Sequence, residues 1–152
     1  MMKDFQNLLR ESLDSPYKWK WVIKEEREMH VIFYDSENRR FIVRCLRLFG
    51  TVWGIAFGEF HHGDFIDYSN TGYGDSRRML STILEVTMDF LKTVGPAEVR
   101  FTGEVVEGKA QLYKKMLHKT EPTFNNIGYT HDFVPKGDKF IFFITKMKQE
   151  NS

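Results

Sequence analysis

The sequence predicts an α/β domain: a mixed, mostly antiparallel sheet with helices on both faces. Three observations predict it. Between Trp19 and Glu59, apolar residues recur at every second position in four runs separated by short polar turns, the pattern of neighbouring strands with one buried face. From Ser76 to Val94 the apolar spacing changes to that of a helix. A short apolar run, a second helical segment and two further runs then follow. A strand–helix–strand passage inside a largely antiparallel sheet makes that sheet mixed.

The elements follow in order. Asp4 can cap a short helix over residues 4–13, where Phe5, Leu8, Leu9 and Leu13 fall at helical spacing. Ser15-Pro16 ends it, because a residue before proline avoids the helical region. Trp19, Trp21 and Ile23 then alternate with Lys18, Lys20 and Lys24, and Met29, Val31 and Phe33 with His30, Ile32 and Tyr34. Asp35-Ser36-Glu37-Asn38 is a turn cluster. Phe41, Val43 and Cys45 share one face of the next run, with Arg40 and Arg44 on the other; Trp53, Ile55, Phe57 and Glu59 share a face of the fourth. Together these four read as an antiparallel meander.

Met79, Leu80, Ile83, Leu84, Val86, Phe90, Leu91 and Val94 make a wide apolar stripe, so residues 76–94 form a helix that Gly95-Pro96 stops. Residues 97–102 are a short strand with Val99 and Phe101 inward. Residues 108–119 form a second helix with Leu112, Tyr113, Met116 and Leu117 on its buried side. Two strands, 127–133 and 138–146, surround a Pro135-Lys136-Gly137 turn, and residues 147–152 read as a frayed polar tail.

The chain has 152 residues, which suits a single domain over 1–152. The 22 Lys+Arg and 21 Asp+Glu leave a formal charge of +1, which argues against a general polyanion or anionic-membrane binder. An aromatic content of 15%, with 14 Phe, argues against disorder. The one cysteine, Cys45, has no partner for an internal disulfide and lies on an apolar strand face, so a reducing, cytoplasmic setting and a structural thiol are expected. No run has the length of a signal peptide's core or of a membrane span.

The segment best suited to chemistry is Ser69-Asn70-Thr71-Gly72-Tyr73-Gly74-Asp75-Ser76-Arg77-Arg78. Glycines permit close backbone approach, and the first N–H groups of a helix lack partners and carry partial positive charge. Gly72, Tyr73 and Gly74, with Arg77 and Arg78 adding charge, could therefore cradle a phosphate. The competing reading is a tight turn capped by Asp75 or Ser76, and a carboxylate at Asp75 competes with an anion. Glu59 follows three apolar residues on its strand face and is a candidate base, since burial would raise its pKa; the alternative is a solvated strand-end carboxylate. Tyr113 is either a proton donor or a core tyrosine packed with Met116 and Leu117.

No metal site is expected. His61 and His62 point opposite ways on an extended chain, and His118 and His131 lack a carboxylate or cysteine at ligand spacing. Arg39, Arg40, Arg44 and Arg47, and Lys114, Lys115 and Lys119, form local basic runs, each a solvated face or a contact for phosphates or acidic protein. Phe65, Tyr68 and Tyr73 near the glycine turn could form a contact patch or floor the local turn.

The order of elements over residues 17–146 resembles the GCN5-related N-acetyltransferase (GNAT) fold. The likeness is carried by the glycine turn, the long helix, a strand, a helix with Leu112-Tyr113, and Gly128-Tyr129 entering a closing hairpin. The resemblance implies a sheet that splays between residues 51–60 and 97–102 and admits acetyl-CoA or another acyl-CoA. Gly72, Tyr73 and Gly74 would hold its pyrophosphate, Glu59 would deprotonate an amine, and Tyr113 would protonate the thiolate. The chain departs from the family pattern at Ser69, where a Gln or Arg is usual, and at Val106 and Lys109, where an Asn and a small residue are usual. Residues 114–127 also lengthen the gap before Gly128.

The chain is also similar to small, uncharacterised proteins of tailed bacteriophages, through Thr71-Gly72-Tyr73-Gly74-Asp75 and Lys109-Ala110-Gln111-Leu112-Tyr113. The expected function is therefore a phage-type, GNAT-like protein that has lost catalysis and binds a host or viral protein, in the host cytoplasm and with a homodimer as one form. An acyl-CoA-dependent N-acyltransferase is the alternative. A nucleic-acid accessory protein using the arginine strands is the third reading.

Overall fold

A computed structural model describes residues 16–61, 64–67, 76–101, 105–136 and 139–148. Its elements are β1 (Trp19–Lys24), β2 (Glu28–Tyr34), β3 (Arg40–Phe49), β4 (Val52–His61), β5 (Asp64–Asp67), α1 (Ser76–Val94), β6 (Glu98–Phe101), β7 (Val105–Val106), α2 (Glu107–Asn126), β8 (Tyr129–Lys136) and β9 (Lys139–Lys146). The described strands join one sheet in the order β1-β2-β3-β4-β6-β9-β7, with β5 beside β4 and β8 beside β9. β4 and β6 pair in parallel, Val52 to Glu98 through Ile55 to Phe101. The other pairs are antiparallel. The class is the expected one, α/β on a mixed and mostly antiparallel sheet.

The meander forms as its period-two pattern predicts. Trp21, Val31, Val43 and Phe57 stand opposite one another across β1 to β4, so one face collects the apolar side chains. Its second turn, between β2 and β3, is fixed by Asp35, whose carboxylate accepts from the Glu37 and Arg39 N–H groups at 3.0 and 2.8 Å and from Arg39 Nε at 2.7 Å. Asn38, at φ 62°, takes the left-handed position that asparagine tolerates.

Helix α1 lies on that face. Phe90 is fully buried, with its ring 5.0 Å from that of Trp53 and 6.4 Å from that of Trp21. Trp19 Nε1 donates to Glu85 at 2.8 Å and Trp21 Nε1 to Asp89 at 2.7 Å. Tyr17 is tied to the same helix: its N–H donates to Thr82 Oγ1 at 2.9 Å, its ring stacks on Phe33 at 5.9 Å, and the Arg78 guanidinium lies 4.0 Å above it. Met79, Leu80, Ile83, Leu84, Val86, Phe90 and Leu91 of the predicted stripe are buried, as are Ser81, Thr82, Thr87 and Met88 outside it, whereas Val94 of the stripe is exposed; the helix has its predicted bounds. Gly95, at φ 65°, takes the left-handed position that ends it.

Helix α2 meets the same face farther along the sheet. Lys114 Nζ sits 4.3 Å from the Phe133 ring, and Glu121 lies 3.7 Å from His131 Nε2. The register joins Phe133 to Phe142 and His131 to Ile144, then Ile144 to Val99 and Val99 to Trp53. Both described helices thus share one face; the helix expected over residues 4–13 lies outside the described residues.

Several bounds differ from the sequence reading, and two short strands are added to it. α2 runs on to Asn126, past the expected end at residue 119 and through Pro122. Proline removes one helical hydrogen bond, but Thr120 before it and Phe124 after it are both buried, and the burial of Phe124 offsets the loss. β5 and β7, of four and two residues, are additions that short runs do not announce. β8 and β9 pair as far as Lys136↔Lys139, so Pro135 and Lys136 belong to the ladder rather than to the turn. The tail also starts later, since Met147 N–H still donates to Gly128 O at 2.8 Å; residues 149–152 lie outside the described residues.

Two predictions follow from this core. Phe90→Ala removes the ring on which Trp21 and Trp53 converge, and is expected to lower unfolding free energy by about 3–5 kcal/mol in urea titration. Burial pushes the Cys45 thiol up from 9.0 to about 12 and the Tyr129 phenol up from 10.0 to about 12. Both are acids whose protonated form the fold favours. Their contribution is intact below their unfolded values and is lost as pH rises from 9.0 towards about 12. Cys45→Ala is expected to abolish the part of this alkaline loss that begins near pH 9.0, read from denaturation midpoints across alkaline pH.

Candidate functional site

One edge of β4 serves two partners. Along Val52–Ile55 it pairs with β6 in parallel; along Gly58–His61 it pairs with β5 in antiparallel, from Gly58↔Asp67 to His61↔Asp64. The opposite edge pairs with β3 as far as Phe41↔Glu59, so β5 and β6 occupy the same edge in succession. Ala56 and Phe57 stand between them. The glycines Gly54 and Gly58 are buried at either side of this fork. β6 ends at Phe101, only four residues long, and β5 takes the edge where β6 leaves it.

The predicted site residues distribute around the fork as follows. Glu59 lies within β4, with Phe41 as its register partner on one side and Ile66 on the other. Its backbone thus stands in the row of Trp19, Phe33 and Phe41. Tyr113 lies in α2, four residues before the buried Leu117. Arg77 is in the first turn of α1. Arg78 is beside it, and its guanidinium stacks on Tyr17. Gly72, Tyr73 and Gly74 lie outside the described residues, as do Ser69 and Tyr68. Phe65, in β5, pairs with Phe60 across the β4–β5 ladder.

The structure also forms charged and polar pairs that motif reading passed over. Trp19 and Trp21 are two apart on a strand, and Glu85 and Asp89 four apart on a helix. Two strand steps rise ~6.6 Å and four helix steps ~6 Å. The two indoles therefore match the two carboxylates, and this spacing was the available signal. Glu121 comes to within 3.7 Å of His131 only because α2 packs on β8, which no local pattern encodes. Of the strand arginines, Arg39 pairs with Asp35 and Glu37, and Arg47 lies 3.6 Å from Glu26.

Among the described residues no group of three or more His, Cys, Asp or Glu side chains is placed to hold a metal ion. Cys45 is a fully buried free thiol, which fits the structural role expected of it. No helix among the described residues is long and apolar enough to cross a membrane. A scan against protein-family models found no match, and neither did a comparison with curated proteins.

The indole pairs give a third prediction. Glu85→Ala or Asp89→Ala leaves a half-buried indole N–H without its acceptor and is expected to cost about 1–3 kcal/mol each. Glu85→Gln and Asp89→Asn keep an acceptor and are expected to cost less. Urea titration followed by tryptophan fluorescence checks both.

Proposed function

We propose that this chain is a GNAT-like protein of the bacteriophage type that no longer transfers acyl groups and acts by binding a host or viral protein. Its relation to GNAT enzymes is supported by the order of elements. Parallel strands β4 and β6 are joined through the long helix α1 and part after Ile55 and Phe101, as the strands flanking an acyl-CoA do in the resembled family. A second helix and a closing hairpin follow in the same order.

The observation that carries the loss of catalysis is the course of β5. In the resembled family the acyl-CoA enters the splay between the two parallel strands. Here the edge of β4 that faces the splay is taken by β5 from Gly58 to His61. Backbone groups paired in a ladder are not available to a ligand, and exchanging them leaves polar groups unsatisfied. The fork therefore does not fit the cofactor. The departures at Ser69, Val106 and Lys109 point the same way, as does Arg78, whose guanidinium is stacked on Tyr17.

Calorimetry with acetyl-CoA and with CoA tests this. The expected outcome is no heat of binding at millimolar ligand, with Glu59→Gln and Tyr113→Phe indistinguishable from the parent chain. Micromolar binding that a folded Gly74→Glu variant loses would return the acyltransferase reading to first place.

A further inference from the structure

Helix α1 is buried on the side that faces away from the sheet as well as on the side that meets it. Successive helical residues are turned about 100° apart. Phe90 faces the sheet, where its ring meets those of Trp21 and Trp53, and Val86 lies one turn before it. Met88, two residues from each, is therefore turned to the opposite side. Ser81, Leu84 and Leu91 fall on the side of Met88, and their steps of three, four and three residues are those of a seam along which a second helix packs. Ser81 and Met88 are 0% exposed, and Leu84 and Leu91 2%.

A helix side hidden from solvent is covered by protein. The described strands lie beneath α1. The other described helix, α2, is set over β8 by the Lys114–Phe133 and Glu121–His131 contacts, so it lies beside α1 on the sheet rather than above it. The cover of the outer row therefore belongs to a stretch of the same chain outside the described residues. Of those stretches, 62–63, 102–104 and 137–138 are two or three residues long, 149–152 is a polar end, and 68–75 is held at both ends, between β5 and α1. Residues 1–15 are held at one end only. That end is at α1 itself, where Tyr17 N–H donates to Thr82 Oγ1 at 2.9 Å, next to Ser81 at the start of the row.

We infer that residues 4–13 of this chain dock on the outer side of α1 and run antiparallel to it, with Leu13 towards Ser81 and Leu84 and Phe5 towards Met88 and Leu91. The dimensions match: a helix over residues 4–13 is ~15 Å long, and the row from Ser81 to Leu91 is ~15 Å long. The side chains match as well, since Phe5, Leu8, Leu9 and Leu13 repeat at the same steps of three and four. The four steps from Leu13 to Tyr17 reach up to about 14 Å, enough to pass round the flank of α1. The inference goes beyond the protein-binding reading and does not rest on it. It makes the N-terminal segment a part of the folded unit, and it takes the outer side of α1 out of the surfaces open to a partner.

Paired cysteines in the full chain, with Cys45→Ala as background, test the contact, because a disulfide forms only between residues whose Cα atoms come within about 7 Å. Under mild oxidation, Phe5→Cys with Met88→Cys and Leu13→Cys with Leu84→Cys are each expected to close within one chain. Phe5→Cys with Tyr34→Cys, an exposed position on the other face of the sheet, is expected to stay open. Equal closure of that control, closure between two chains, or no closure of either first pair overturns the inference. A second measurement leaves α1 unaltered and carries the test should the cysteine variants fail to fold. Sulfoxide formation at Met88 under dilute peroxide, read by mass spectrometry, follows its exposure. Leu8→Asp combined with Leu9→Asp is expected to speed it severalfold while Met29, buried in the core, keeps its rate. An unchanged Met88 rate in that variant overturns the inference, and so does a rise that Tyr73→Asp, within 68–75, produces and the leucine variant does not.

Discussion

The parallel pairing of β4 with β6 is the constraint on which the rest of the fold depends. A hairpin cannot join parallel strands, so the chain must cross a face of the sheet between them, and a helix is the usual connection. Helix α1 is the main element of that crossing. Once it lies on the sheet, its apolar stripe needs a cover, and the meander supplies one in Trp21, Val31, Val43, Trp53 and Ile55. The burial of Phe90 against Trp21 and Trp53 is the consequence of the crossover and also what holds it.

The direction of the helix is fixed by the same contacts. Trp19 pairs with Glu85 and Trp21 with Asp89, so residue numbers rise together along β1 and α1. β1 runs antiparallel to β2, β2 to β3 and β3 to β4, so α1 runs opposite to β4, as a return crossover must. Two charge-assisted hydrogen bonds therefore specify a helix direction that apolar packing alone, being non-directional, leaves less sharply defined.

What could be read from the sequence divides along physical lines. Local periodicity showed the meander and the helix 76–94, because a side chain's neighbours within one element are set by its own backbone geometry. Gly95-Pro96 showed where that helix ends. The fork of β4 was not legible. Which strand takes which edge is decided by long-range pairing, and Asp64-Phe65-Ile66-Asp67 is too short to display a period. The extension of α2 was hidden by Pro122, whose local cost is outweighed by burial of Phe124, a tertiary term. At the candidate site, Glu59 was legible as a member of the apolar row of Trp53, Ile55 and Phe57, and the register sets its backbone opposite Phe41. The glycine turn signals a helix start whatever it binds, since tight turns and anion cradles ask for the same residues there.

The fork is shaped by the satisfaction of backbone groups. Where β6 stops short, the edge of β4 would face solvent with open donors and acceptors, which is both a ligand site and an aggregation hazard. Pairing with β5 satisfies the β4 groups from Gly58 to His61 and passes the open edge on to β5, which among the described residues pairs with β4 alone. At the other end of β4 the constraint is local: the bulge at Leu48 and the Arg47–Gly50 hydrogen bond fix the β3–β4 turn at the end of two long paired strands.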